Sequence, residues 1–316
     1  MVRCGRKIRA GMRIFALIIA ATLAVPALSP AEPLFIRDAG VMASGAAQLE
    51  LAGTWGSSRG AYDSDCALLG FEATPGTALS RSLVLEARAG LPASLEARVA
   101  GGLALQELKL DELGSSGWEG AMVSRGSGPS DVLATLKWAL LKPGETAVGV
   151  EAGVRVPVAT GPDRAKTFYG RLGDGSWAFP VGIRLRQSRG PMSAYLEGAY
   201  VPVLSRKVGK WYGETLAASE DFRAGDEFSF AAGVEVKGEA VSWSLELSRW
   251  IKGRDRGGIP DGTAGLYPRA ESMALTPSVG IRTSRRSELL LGCGLPLDGR
   301  NVYQMFAAAA AVRRRL

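Results

Sequence analysis

Charged residues recur at every second position of otherwise apolar segments: Glu86 and Arg88, Glu96 and Arg98, Lys137, Glu151 and Arg155, Arg184 and Arg186, Glu197, Glu235 and Lys237, Glu246, and Arg282. A period of two gathers them on one face of a strand while aliphatic and aromatic neighbours take the other. Both signs occur on neighbouring segments. Such a face could orient an anionic or zwitterionic solute along a polar conduit. It could equally be a structural network in which buried charges satisfy one another. Residue types alone leave both readings open.

Other chemistry is excluded more firmly. The chain has no histidine, so there is no imidazole base, no His-ligated metal and no Ser-His or Cys-His nucleophile pair. Three cysteines, one of them in the leader described below, do not make a thiolate zinc site or a disulfide scaffold. Asp63-Ser64-Asp65 lacks the spacing and distal Glu of a calcium loop. The glycines at 126, 128, 257, 258 and 262 fit neither a phosphate loop nor a dinucleotide fingerprint. No cofactor or metal is expected, and no enzymatic activity.

A second cluster lies in one loop, Thr160 to Gly175. Asp163, Arg164, Lys166, Tyr169, Arg171 and Asp174 could fold inward as a gate, or stay a solvated loop.

The elements that would position these residues are strands. Leu95, Ala97, Val99, Leu103 and Leu105 alternate with Glu96, Arg98 and Gln106; Val241, Trp243, Leu245 and Leu247 alternate with Ser242, Ser244, Glu246 and Ser248. Short turns near 90–92, 143–144, 189–190, 238–239 and 285–286 alternate with long loops near 57–78, 107–128, 160–175, 204–226 and 251–271. Twelve strands are expected, from near Ala46 to near Val312. An even number, with short turns at one end and long loops at the other, predicts a single antiparallel transmembrane β-barrel. Hydrocarbon offers no partner to an unpaired backbone group, so the sheet must close. A soluble sandwich also alternates, but its second face would be charged throughout, whereas here Gly, Ala and Ser intersperse sparse charges. Trp55, Trp138, Trp177, Trp211, Trp243 and Trp250 are expected to form a lipid-facing aromatic band.

Residues 1–31 read as a secretory signal: Arg3, Arg6, Lys7, Arg9 and Arg13 precede the apolar run Ile14 to Val25, with cleavage sites after Ala27 or Ala31. That run is short for a retained membrane anchor. Removing those five cations reduces the net charge from +7 to +2 (33 Lys+Arg against 31 Asp+Glu). The remaining basic cluster, Arg313-Arg314-Arg315, is too small to imply nucleic acid. Residues 32–316 then form the barrel.

The segment from Pro33 to Trp55 (Pro33-Leu34, Asp38-Ala39-Gly40, Gly45, Gln48-Leu49-Glu50), together with Gly128 to Leu140 and Leu172 to Leu185, resembles the outer-membrane barrel family called "MetA-pathway of phenol degradation". The resemblance implies a barrel passing small, hydrophobic or aromatic molecules across the outer membrane of a Gram-negative-type bacterium. Its partners would be lipid, the barrel-assembly machinery and the solute. A structural or surface-interacting barrel with a plugged lumen is the alternative. Such barrels finish on an aromatic residue; this chain finishes Val312-Arg313-Arg314-Arg315-Leu316. The departure leaves the placement of the last strand and its recognition during assembly open.

Overall fold

A computed structural model describes residues 41–58, 60–62, 68–70, 76–110, 122–141, 146–165, 171–211, 214–257 and 269–316. The leader, Cys66, Asp63-Ser64-Asp65, Lys166 and Tyr169 lie outside the described residues.

Alternation produces the expected architecture, twelve antiparallel strands in one closed sheet. They are β1 (Ala47–Ser58), β2 (Gly76–Leu91), β3 (Leu95–Leu110), β4 in two pieces (Met122–Pro129 and Val132–Ala139), β5 (Thr146–Val156), β6 (Val181–Arg189), β7 (Met192–Val201), β8 (Glu227–Lys237), β9 (Val241–Lys252), β10 (Ala270–Arg282), β11 (Ser287–Arg300) and β12 (Phe306–Arg315). Each strand pairs with its neighbours in sequence, and β12 returns to β1, with Gln48 opposite Arg315 and Ser57 opposite Phe306. Closure removes the edges that hydrocarbon would not tolerate. The last strand extends three residues beyond the expected Val312. The arginines continue the ladder, and the Leu316 N–H donates to the Ala47 carbonyl at 2.9 Å.

The loops are also shorter than expected, because strands run on into them. β2 begins at Gly76, and an antiparallel rim hairpin (Arg206–Trp211 with Glu214–Arg223) occupies much of the 204–226 loop.

β4 breaks where β3 changes partners. Its first piece pairs Pro129 with Leu103; its second pairs Leu133 with Ala100. Between them, the Ser130 N–H donates to the Gly102 carbonyl at 2.9 Å. Gly102 is needed there, since a Cβ would lie 1.9 Å from the Leu83 carbonyl oxygen. Proline at 129 has no N–H to offer the ladder, which suits the end of a strand piece.

The two faces sort as the alternation dictates. Leu51, Leu83, Leu85, Val99, Leu103, Leu136, Leu196, Phe230 and Leu247 project outward from their strands and are exposed. An apolar surface encircling the sheet is unstable against water but suited to lipid. Inward positions hold Glu50, Glu86, Glu96, Arg98, Lys137, Arg155, Arg184 and Arg186, all buried. That inversion excludes the soluble sandwich.

The aromatic band is smaller than expected. Trp55, Trp138, Trp177 and Trp243 are exposed, but Trp211 is buried in the rim hairpin with its ring 5.0 Å from that of Phe222. Trp250 points inward, its indole N–H 3.4 Å from Glu227 Oε2. These two tryptophans leave the band because each follows the parity of its own element.

Candidate functional site

Cross-strand register places opposite charges side by side in the lumen. Lys137 stands between Glu96 and Glu151 on adjacent strands, with its Nζ 3.3 Å from Glu96. Arg184 lies opposite Glu197 and bridges it at 3.0 Å and Glu151 at 2.8 Å. Arg98 reaches Glu86 at 2.6 Å and Glu151 at 3.6 Å, and Arg88 also pairs with Glu86. Arg186 pairs with Glu235, which Lys237 approaches at 3.5 Å. Tyr195 donates to Glu246 at 2.6 Å. One network therefore joins β2, β3, β5, β6 and β7, with β8 and β9 attached beside it.

The other part of the wall is small. Ala52 on β1, Leu290 on β11, and Ala309 and Ala311 on β12 form a buried cluster. Alternate members of the alanine run, Ala307, Ala309 and Ala311, are the buried ones, and side chains this short leave lumen volume beside them.

The structure buries Glu86, Glu96, Arg98, Lys137, Arg155, Arg184 and Arg186 inside the barrel and adds partners that the sequence analysis did not single out. Arg313, read as part of a basic tail, points inward and bridges Glu50 at 2.8 Å and Glu288 at 3.3 Å. Glu227 holds Arg155 at 2.7 Å. Extending the period of two past Val312 would have found Arg313. Arg282 and Lys237 differ from the others in being exposed: Arg282 stands beside the 283–286 turn opposite Glu288 in the ladder, and Lys237 ends β8.

Residues 159–165 and 171–176 supply the second part of the site, whereas 177–180 continue the wall, with Ala178 bridging Arg155 and Val203. On one side, Leu172 packs against Ala104 of β3 and Ala159. The Ala159 N–H donates to Asp131 Oδ1, at the β4 break, at 3.0 Å. On the other side, Arg171 pairs with Asp174 and lies 3.3 Å from Asp255. Lys252, the last residue of β9, bridges Asp174 at 2.9 Å and Asp255 at 3.6 Å. In a ring of twelve strands β3 and β9 are six apart, on opposite walls. Residues 171–174, with Ala159 beside Leu172, consequently reach both walls and form a crossbar. Arg206 of the rim hairpin braces it through Asp163 at 2.9 Å. Arg164, beside Asp163 in the same turn, donates its N–H to the Gly161 carbonyl at 3.1 Å.

Electrostatics favours the anchored form. Burial pushes the Asp174 carboxyl up, but the charges of Lys252, Arg171 and Arg155 more than offset this and hold it well below the usual carboxylate range. At Asp163 burial again acts upward, and the hydrogen bond and charge of Arg206 carry it below its ordinary value. Lys252 and Asp255 are almost completely inaccessible, so the bar is closed tightly around its ion pairs.

No protein-family model and no curated protein sequence matches the chain. Solved structures do. An outer-membrane channel from Pseudomonas putida F1 superposes with a TM-score of 0.70 at 13% identity, covering 89% of this chain and 99% of that one. The transport unit of the autotransporter AIDA-I from Escherichia coli superposes at 0.50 and 9% identity, covering 90% and 94%. A channel and an autotransporter unit share the architecture, so the likeness defines the fold and leaves the task to the site. By fold, the chain is an outer-membrane β-barrel.

Proposed function

We propose that the protein is an outer-membrane channel for small molecules, closed in the present conformation by the crossbar around residues 171–174. The observation that carries this reading is the origin of the closure. The bar is a loop held across the lumen by Lys252, Asp255 and Asp131, and a loop can move without disturbing the ladder. Below it, the mixed-charge lumen offers positions for a polar or anionic group, while the small wall of β1, β11 and β12 offers an apolar one. An aromatic acid has both features, consistent with the solute class that the phenol-degradation resemblance implies. The role is passage without chemistry, and the barrel reaches its membrane through the general assembly machinery.

A second reading, a permanently plugged barrel, is favoured by the density of pairing around Glu86, Glu96 and Glu151. Planar-bilayer recording of the refolded barrel separates the two. A channel gives discrete current steps that a small aromatic acid partly blocks, and the double variant D174N/K252M opens more often. Silence from wild type and variant, both folded and β-rich by circular dichroism, would establish the plugged barrel.

A further inference from the structure

The lumen does not account for a charged groove on the outside of the barrel. It has a volume of about 500 Å³ and is formed by the outward faces of β2, β3 and the first piece of β4, with Leu79, Arg81, Leu105, Glu107, Lys109 and Arg125 lining it. Its composition is graded along the barrel axis by the strand register. Leu83 opposite Leu103 belongs to the exposed apolar belt. One pair further from the short turns, Arg81 stands opposite Leu105 and next to Trp55, its guanidinium carbon 5.9 Å from the indole centre. The next pair places Glu107 between Leu79 and Arg125, and the next holds Lys109.

Glu107 is covered by its two cations: it pairs with Arg125 and lies 3.0 Å from Lys109. Three cations against one carboxylate leave the groove with a surplus of two positive charges. Short turns face the periplasm in barrels of this kind, so the groove lies at the outer-leaflet boundary, where tryptophan marks the transition from acyl chains to headgroups. A cationic cavity with a leucine floor at that depth suits a lipid that is both acylated and phosphorylated. Guanidinium groups bind phosphate oxygens in pairs, with Leu105 level with Arg81, Leu79 level with Arg125, and Leu83 and Leu103 continuing the apolar surface towards the acyl chains.

We propose that this groove binds the phosphorylated glycolipid of the outer leaflet, with Arg81, Lys109 and Arg125 holding a phosphate of its headgroup. The assignment rests on the outer-membrane placement but not on transport, so current measurements and lipid binding can fail separately.

The test is native mass spectrometry of the full barrel in detergent with bisphosphorylated lipid A, the same acylated disaccharide without phosphates, phosphatidylglycerol, or inorganic phosphate. Wild type should retain lipid A and not its dephosphorylated form. The R81Q/R125Q variant should bind it roughly tenfold more weakly, while R189Q, which removes a cation at the opposite end of the barrel, should bind as wild type does. Heat-modifiable gel migration reports folding of each variant, and R125Q alone gives a smaller loss if the pair does not fold. Equal retention of phosphatidylglycerol, equal loss in R189Q, or full competition by inorganic phosphate would overturn the proposal.

Discussion

A buried guanidinium becomes a liability once the carboxylate that pairs with it directly is removed. Arg155 and Glu227 form such a pair, both almost inaccessible, and the indole of Trp250 shares Glu227. Glu227→Gln should lower stability by about 3 kcal/mol, read as a shifted urea midpoint of tryptophan fluorescence in lipid vesicles. Adding Arg155→Met should restore much of the loss. An unchanged midpoint in the single variant would show that water reaches the pair. Asp174 makes a different prediction. Its carboxyl is held below the ordinary range, so its contribution is complete above about pH 4 and lost as pH falls through the lowered value. Single-channel open probability should therefore stay level from neutral to mildly acidic pH and rise only under strong acid. A rise near neutrality would assign the gate to another group.

At the scale of elements, one short turn stores strain that substitution can relieve. The β2–β3 connection places Ala93 at φ 60° and Ser94 at φ 59°, a left-handed pair that Asn-Gly adopts more readily. Ala93→Asn with Ser94→Gly should stabilise the barrel by about 1 kcal/mol, measured by the same urea titration. A loss would show that these side chains make compensating contacts. The crossbar is held differently, by the ion pairs of Arg171, Asp174, Lys252 and Asp255 and by the Leu172 and Gly173 N–H groups donating to the Thr160 carbonyl at 2.8 and 3.2 Å, and the D174N/K252M recording tests the ion pairs directly.

For the whole molecule, the lipid-facing belt matters most, because it makes the barrel stable in hydrocarbon and unstable in water. Leu85 projects from the middle of β2 into it. Leu85→Arg should cost about 2–4 kcal/mol in vesicles, whereas the same change at exposed Leu204, outside the strands, should cost much less. Equal effects would contradict the membrane depth assigned to β2. Closure also makes the two ends of the described ladder interdependent, because β12 completes the sheet only through β1.

What could be read from the residues was whatever depends on a period of two. Alternation set the strands, their count, the apolar outside and the inward position of Glu86, Arg98, Lys137 and Arg184, because side-chain direction along a strand is local geometry. The same rule, followed past Val312, reaches Arg313. Which charges meet was decided by register across strands: Glu50 lies 263 positions from Arg313 in the chain and 2.8 Å away in the barrel. The crossbar is likewise tertiary. Nothing local tells Arg171 or Asp174 that β9 will stand opposite β3, and closure of a twelve-strand ring brings Lys252 and Asp255 within their reach. Period is a property of neighbours along the chain, whereas the meeting of opposite walls is a property of the closed circle.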